Sequence, residues 1–438
     1  MKNNLIKSFL YSAIIILASC SKELNTTPTQ NIDANAALKT SDDVKAALTG
    51  AYADFGNVDF YGGRIFLEAD LLANVNDFSW AGTYQGMTQI SNKAIPVDNG
   101  YVRDAWLTGY RAINDANNVL STVSAVDAKD SASVAGQAKF IRGASYFELV
   151  KRFAKAWNDG DPAANLGVPL VLIPTTLITE QSKLKRNTVA EVYQQVIKDL
   201  SDAEVSSDNP AAAAAILARV YLQQGNYLNA LAAADSAITK SRAKLTPTYA
   251  EAFVAANSSE DIFAIKVTPT SGTQGFNEFY DASQRGDITI NDNYLTSYDP
   301  ADDRLNLFYH SENNGPVYSL KFAELYGNVH TIRLAEMLLI RAECNFRLGT
   351  STGAAPATDI NAIRARAKLS PYAAGELTLD DILKERKFEL AFEGFALDDI
   401  KRLQQSVGNL LWNSPKLIFP IPKREILANT NLVQNESY

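Results

Sequence analysis

Apolar and small side chains recur at intervals of three and four residues through the middle of the chain. In residues 217–238 this spacing places them on one face of a helix. Gly225 interrupts the run, and because glycine accepts the left-handed backbone that ends many helices, we predict that one helix stops there. The side chain of Asn226 can cap a second helix, in which Ala230 and Ala237 would allow close packing against the first. The pattern therefore predicts a pair of amphipathic helices joined by a tight turn.

This helix pair resembles the tetratricopeptide repeat, which places a tyrosine, a glycine and alanines at these offsets. One such unit covers about residues 188–240 and a second about residues 331–367, in which Gly349 ends the first helix. Capping residues and periodicity predict further helices at residues 41–52, 105–123, 132–153 and 379–393. We therefore expect an all-α fold with about four tetratricopeptide-like helix pairs.

Two long segments, residues 55–101 and 269–317, show no sustained period of 3.6 or 2. They are rich in glycine, asparagine, aspartate and aromatic residues. Loops of this length are unusual in a compact domain and are commonly functional, so we expect a long, loop-rich ligand-binding region. Short β pairs could lie within such segments, for instance at residues 261–267.

The N-terminus has the composition of a bacterial lipoprotein signal. Two lysines precede an apolar stretch, residues 9–18, which is too short to cross a bilayer because about 20 residues are needed. Residues 17–20, Leu-Ala-Ser-Cys, fit a lipobox. We predict a signal peptide at residues 1–19 and lipidation of Cys20; the alternative is a stray cysteine near an uncleaved signal anchor. The start of residues 20–35 is polar and lacks periodicity, as expected of a tether.

The charge balance and the cysteine count limit the partners and the means of stabilisation. The formal net charge of -8 argues against binding to nucleic acid. Once Cys20 is lipidated, Cys344 is the only other cysteine, so an intrachain disulfide is excluded and packing must stabilise the fold. Cys344 lies in an apolar run, which favours a small buried side chain over a reactive thiol.

Motifs for catalysis are missing from the sequence. His310 and His330 are the only histidines, and neither lies in a zinc-binding or acid–base motif; nucleophile-elbow and phosphate-loop motifs are also absent. The acidic residues of 385–393 could suggest general acid and base groups, but Arg386 and Lys387 lie among them and favour an ion-paired structural helix. A glycosidase with two carboxylates leaves no local signature and stays open as an alternative. We expect a non-enzymatic protein without metal or cofactor.

Several motifs, in one order, resemble the SusD/RagB family over nearly the whole chain after the predicted signal peptide. Residues 382–394 match the family's I-x-x-E-R-x-x-E-L-x-F-E-G segment. Residues 420–438 are similar to its ending, P-I-P-x-x-E followed by N-x-x-L-x-Q-N-x-x-Y. The two prolines at 420 and 422 predict an extended clasp across the preceding helices. Supporting matches occur at residues 142–153, 167–170 and 334–343.

This resemblance implies a single SusD-like domain over residues 36–438, with an N-terminal half of about 36–250 and a C-terminal half of about 251–438. It implies a lipid-anchored outer-membrane protein, facing the cell exterior, that binds oligosaccharides for import. Its implied partner is a SusC-like TonB-dependent outer-membrane transporter. The alternatives are binding of peptides for the same route, or a tetratricopeptide scaffold that binds only the transporter.

Candidate ligand-binding residues lie in the two segments without periodicity. The early segment places Trp80 and Tyr84 among amides, a carboxylate and glycines, outside any helical stripe. A flat aromatic ring suits the C–H face of a sugar, and amides and carboxylates suit its hydroxyls. The resemblance implies that a mid-chain segment contributes as well. The predicted ligand-binding residues are Asn76, Asp77, Trp80, Tyr84, Tyr280 and Tyr294. The alternative for Trp80 is a half-buried loop anchor.

Overall fold

Helices dominate the part of the chain that the computed structural model describes, which is residues 37–438 except 178, 255, 313, 314 and 374. The predicted signal peptide at 1–19, Cys20 and the tether at 20–35 lie outside the described residues.

The helices are α1 (Ser41–Phe55), α2 (Arg64–Ala73), α3 (Gln85–Ser91), α4 (Gly100–Thr122), α5 (Ala128–Phe153), α6 (Val189–Ser206), α7 (Pro210–Gln223), α8 (Tyr227–Lys240), α9 (Asn277–Tyr280), α10 (Asp292–Leu295), α11 (Leu334–Leu348), α12 (Pro356–Arg366), α13 (Leu379–Glu389), α14 (Ala396–Arg402) and α15 (Lys423–Ala428). The strands are β1 (Phe78–Trp80), β2 (Asp261–Ile265), β3 (Ile288–Ile290), β4 (Phe308–His310), β5 (Val317–Ser319) and β6 (Val329–Arg333). Within the described residues, none of the helices has the length and apolar character needed to span a membrane.

Eight helices form a stack in chain order, in which each packs against the one before it. They are α1, α4, α5, α6, α7, α8, α11 and α12. Grouped in sequence, they make four helix pairs, the arrangement of a tetratricopeptide-like scaffold. The predicted fold class is therefore confirmed.

The turn between α7 and α8 follows the local chemistry of its residues. Gly225 has the left-handed φ of +68°, and the side chain of Asn226 accepts a hydrogen bond from the backbone N–H of Asn229. Residues 211–218 of α7 are all buried, because its alanines let the neighbouring helices approach closely. Gly349 ends α11 in the same left-handed conformation, with φ +66°.

The segments expected to be loops contain more regular structure than the pattern predicted. Helix α2 lies within residues 55–101. All of its residues except the first are buried, so its sequence lacks the exposed polar face from which a helical period is recognised. The strands β1, β3, β5 and β4 form an antiparallel sheet in that order, and β2 pairs with β6. Strand β2 confirms the β segment expected near residues 261–267. The four strands of the sheet have only three residues each, too few to show a period of 2.

A buried network of charged side chains joins β2, β6, α12 and α13. Arg333 Nη1 lies 2.7 Å from Glu260 and 3.0 Å from Glu389, and its Nη2 lies 2.8 Å from Glu393. Arg366 contacts Glu260 and Glu389 from the other side. All five side chains are at most 8% exposed. Because an unpaired charge in such surroundings is very costly, each member depends on the others.

Helix α13 is ion-paired as predicted, but its partners lie far away in the sequence. Glu385 receives a hydrogen bond of 2.6 Å from Arg304, while Arg386 of the same helix pairs with Asp399 at 2.8 Å. The helix ends at Glu389 rather than at residue 393. Thr378 caps it through a reciprocal hydrogen-bond pair with Asp381.

The C-terminal segment forms the predicted clasp. Residues 419–422 belong to no helix or strand, Ile418 before them has an extended backbone, and the N–H of Phe419 donates to the carbonyl of Arg152 at the end of α5. The amide of Gln434 exchanges two hydrogen bonds of 2.7 Å with the backbone of Ile421. Arg186 donates to the carbonyl of Val433 and to the side chain of Asn435, which ties the chain end to the helix stack.

Replacing Arg333 by methionine removes the cation shared by three carboxylates. We expect Arg333→Met to lower the free energy of unfolding by about 3–5 kcal/mol, the range for breaking a buried ion pair. Urea denaturation of the purified protein measures it. Lys183→Met is the matched control, because Lys183 pairs with Glu180, which is 83% exposed, and should lose at most about 1 kcal/mol. Equal losses in the two variants would contradict a structural role for the network.

The network also predicts loss of stability in acid. Burial alone would raise the pKa of Glu389, but the charges of Arg366 and Arg333 outweigh it and lower the pKa from 4.5 to about 2. The ionised form is therefore favoured by folding, so the stabilisation is complete above pH 4.5 and is lost as the pH falls towards 2. For this residue it amounts to up to about 3 kcal/mol. Denaturation at a series of pH values should show a shallower slope in this window for Glu389→Gln than for wild type; identical slopes would assign the acid sensitivity elsewhere.

Candidate functional site

The four-stranded sheet presents one face outward. The register places Ser79 opposite Thr289, and Tyr309 opposite Tyr318. Side chains alternate between the two faces of a strand. Because β3 pairs with β5, the β1–β3 pair and the β4–β5 pair share one outer face. The outer row is Ser79, Thr289, Tyr318 and Tyr309. The buried residues of the opposite face are Phe78, Ile288, Ile290 and Val317. The sheet thus shows hydroxyls and two aromatic rings on its outer face.

Tyr84 lies next to this sheet, with a cation stacked on its ring. The guanidinium carbon of Arg285 is 3.7 Å from the ring centroid. Arg285 is held by Asp287 at 2.7 Å and by the hydroxyl of Thr83 at 3.1 Å, and the hydrogen bond to Asp287 raises the pKa of Arg285. Tyr84 is 37% exposed. Its ring is therefore both accessible and fixed in place.

Arg285 joins Tyr84 to the outer row. A Cβ at Gly286 would lie 3.1 Å from Cε1 of Tyr318, so the ring of Tyr318 packs against the backbone directly after Arg285. The rings of Tyr318 and Tyr309 lie 6.1 Å apart between centroids. We call Tyr84, Arg285 and the outer row the platform.

Trp80 is a half-buried neighbour of the platform. Its indole N–H donates to the hydroxyl of Thr88 at 2.9 Å, and its ring packs on Phe279 at 5.6 Å between centroids. Tyr84 contacts the same Phe279, so the two aromatic residues are adjacent. Strand alternation turns Trp80 to the side of Phe78, away from the outer row. These contacts are those of a half-buried loop anchor, which is the alternative role that the sequence allows for Trp80.

Asn76 and Asp77 lie at the start of β1. The side-chain amide of Asn291 donates to the carbonyl and to the side-chain oxygen of Asn76 at 3.1 and 3.2 Å. The same Asn291 accepts a hydrogen bond from Ser79 of the outer row. Asp77 forms an ion pair of 3.0 Å with Lys387. Both predicted residues are therefore at the surface beside the platform.

Tyr280 and Tyr294, which were also predicted to bind the ligand, are core residues. They are 0% and 2% exposed, and both rings pack on Phe392. The hydroxyl of Tyr294 is hydrogen-bonded to that of Tyr298 at 3.0 Å. Burial raises the pKa of both tyrosines well above the ordinary value. They support the sheet from beneath and lie outside the outer row, and Tyr294 also lines a cleft on the other side of β1.

Sequence reasoning missed Arg285, Tyr309 and Tyr318. The only signal for them is the alternation Ile-Thr-Ile at 288–290 and Val-Tyr-Ser at 317–319, which is too short to stand out. Chemically, the platform combines aromatic faces, hydroxyls and a charged hydrogen-bond donor. Across the described residues, no group of three or more histidine, cysteine, aspartate or glutamate side chains could hold a metal ion.

Comparison with known families and proteins places the chain among SusD-like proteins. The model of a SusD-like family described as "Starch-binding associating with outer membrane" matches residues 24–222, and that of the SusD family matches residues 320–415. SusD-like protein P2 of Formosa agariphila is 27% identical, over 96% of this chain and 97% of that protein.

Solved structures share the architecture. A crystal structure from Bacteroides vulgatus, described provisionally as a sugar-binding protein, has a TM-score of 0.83 and 26% identity, covering 92% of this chain and 99% of that one. Surface glycan-binding protein A from Bacteroides uniformis has a TM-score of 0.77 at 18% identity, covering 90% and 99%, a likeness of fold. The two family matches and the full-length relative agree: this chain is SusD/RagB-like.

Proposed function

We propose that this protein is a cell-surface lipoprotein that binds oligosaccharides at the platform and passes them to a SusC-like TonB-dependent transporter. The observation that carries the proposal is the ring of Tyr84, exposed and stacked on Arg285 beside a row of outward hydroxyls. A sugar offers an apolar C–H face to an aromatic ring and a belt of hydroxyls to polar groups around it. The platform supplies both kinds of contact, with the outer row on the sheet and Tyr84 and Arg285 beside it.

The platform suits a neutral polar ligand. The positive charge of Arg285 is balanced by Asp287 at 2.7 Å, so the guanidinium offers hydrogen bonds without a net charge to neutralise. The relative from Bacteroides vulgatus is described as sugar binding, and the matched family as starch binding. These descriptions favour a carbohydrate over a peptide as the ligand of this chain.

The location and the partner follow from the lipobox and the family. A multiply acylated Cys20 would hold the protein at the outer membrane, because two or more chains anchor far better than one. Tethering in the same membrane makes the encounter with the transporter effectively intramolecular. We propose that the helix stack provides the surface for the transporter, since the platform lies on the irregular part of the fold and is left free for the ligand.

Removal of the ring of Tyr84 should weaken glycan binding. We expect Tyr84→Ala to lower the affinity for the best ligand of an oligosaccharide panel about ten-fold, which corresponds to about 1.4 kcal/mol. Isothermal titration calorimetry on the purified protein measures it. Tyr326→Ala is the matched control, because Tyr326 is 44% exposed and lies outside the platform.

The same panel separates the alternatives. It should include peptides and an analysis of products over time. Binding of peptides alone, or equal affinities for Tyr84→Ala and Tyr326→Ala, would contradict the platform as a glycan site. Time-dependent cleavage of a bound oligosaccharide would contradict a purely binding role. Co-purification of the transporter without any ligand in the panel would favour the scaffold alternative.

The lipid anchor gives a separate prediction. We expect Cys20→Ser to abolish incorporation of radiolabelled palmitate and to move the protein from the outer-membrane fraction to the soluble fraction. Cys344→Ser is the matched control, because Cys344 is buried and burial raises the pKa of its thiol to about 12. Labelling that persists in Cys20→Ser would contradict the proposed anchor.

A further inference from the structure

A cleft of about 480 Å³ opens on the other side of β1 from the platform. It lies between the chain from the end of α2 to β1 and the helices α13 and α14. Its walls are mostly apolar, and its volume is in the range of small-molecule sites. The apolar residues that wall the cleft include Phe78, Leu383, Phe392, Phe395, Ile400 and Leu403.

A buried carboxyl group lines this cleft, and one of its two oxygens is available for a hydrogen bond to a ligand. Asp70 is 3% exposed, and its Oδ2 accepts a hydrogen bond of 3.0 Å from the N–H of Gly394. Among the described residues, no hydrogen bond involves its Oδ1. Burial raises the pKa of Asp70 to about 8, so at neutral pH the group is uncharged and can donate as well as accept. A carboxyl oxygen at the wall of an open apolar cleft is suited to a ligand hydroxyl.

The charges at the rim cancel. Lys387 pairs with Asp77 at 3.0 Å, and Arg386 pairs with Asp399 at 2.8 Å. The other two charged residues of the rim, Lys384 and Asp380, carry opposite signs. With a neutral floor and a balanced rim, the cleft has no excess charge with which to hold a uronate or sulfate group, and transfer of such a group to apolar walls would be costly.

The wall of the cleft is held in a strained conformation. Phe392 has a φ of +64°, in the left-handed region that is rare and unfavourable for a bulky side chain. The following residues fix it: Glu393 pairs with Arg333 and Lys321, and a Cβ at Gly394 would lie 2.5 Å from Phe66. The ring of Phe392 is thereby kept against Phe78 at the side of the cleft.

From these observations we infer that the cleft is a second carbohydrate subsite, which takes a neutral sugar unit with an apolar face and a hydroxyl directed at Asp70. The inference rests on the proposed function and narrows its ligand to a neutral glycan. Asp77 lines the cleft, while Ser79 of the next strand belongs to the outer row of the platform. The cleft and the platform therefore flank β1.

A plug at the mouth of the cleft tests the inference without disturbing the core. Ala396 lines the cleft and is exposed at the start of α14, so Ala396→Trp fills the opening. Ala232→Trp is the matched control, because Ala232 is exposed on α8. The probes are maltohexaose, cellohexaose, laminarihexaose, mannohexaose and the charged hexagalacturonate, measured by calorimetry with wild type, both variants and Tyr84→Ala.

The expected result is that a neutral hexasaccharide binds wild type and Ala232→Trp equally and binds Ala396→Trp about ten-fold more weakly. The same loss in Ala396→Trp with an unchanged Tyr84→Ala would support the cleft and contradict the platform. A weakened Tyr84→Ala with an unchanged Ala396→Trp would overturn the cleft and leave the platform standing. Tighter binding of hexagalacturonate that the plug abolishes would overturn the neutral ligand class. A wild-type protein that binds none of the probes would contradict the proposed function and this inference with it.

Discussion

Arg333 lies where the helix stack meets the irregular part of the fold. It is the last residue of β6, directly before α11, and its guanidinium is shared by Glu260, Glu389 and Glu393. These carboxylates come from the start of β2 and from the end of α13 and the turn after it. Two sheet strands, a scaffold helix and the acidic helix are thus fixed to one charge. Because the group is buried, no water can replace a missing partner, and the relative placement of these elements is set by ion pairing as much as by apolar contact.

The platform is connected to this network through a short series of contacts. Glu393 is paired with Arg333 and with Lys321, which follows β5. The next residue, Gly394, donates its N–H to Asp70 near the end of α2. The chain then runs through residues 74–77 into β1, which carries Ser79 and Trp80. A binding surface built on three-residue strands would be weak alone, so its rigidity has to come from these attachments.

Local features of the fold could be predicted from the sequence, and distant ones could not. Gly225 and Asn226 fix a turn by their own backbone and side-chain chemistry, so that turn was predictable. Helix α2 was not predicted, because burial on nearly all sides removes the exposed polar positions from which a helical period is recognised. The ion pairing of α13 was predictable from its composition, but its partners Arg304, Arg333 and Arg366 lie in other elements and no spacing rule connects them.

In the candidate site too, local features could be predicted from the sequence and features that depend on distant elements could not. Tyr84 is exposed, as expected of an aromatic residue outside a helical stripe. Tyr280 and Tyr294 come from an equally irregular segment, yet they are buried because Phe392 gives them a ring to pack on. Irregular backbone therefore does not distinguish a surface aromatic from a core one. Arg285, Tyr309 and Tyr318 become recognisable only when the strand register is known, since it is the register that places them on the outer face.

Two kinds of buried carboxyl group in this fold serve opposite purposes. Glu389 is held ionised by arginines, with its pKa lowered to about 2, so it carries no proton to give at neutral pH and acts as a structural anion. Among the residues that the structure describes, none gives Asp70 a cation in hydrogen-bonding contact, and burial raises the pKa of Asp70 to about 8. A glycosidase of the usual kind needs a proton-donating acid and an ionised partner on either side of one sugar bond. Glu389 and Glu393 do not suit the first of these roles, because the charges of their basic partners outweigh burial and lower the pKa of both carboxyl groups. In this segment, the acidic pattern that could suggest catalysis forms the ion pairs that join β6 and α12 to the end of α13.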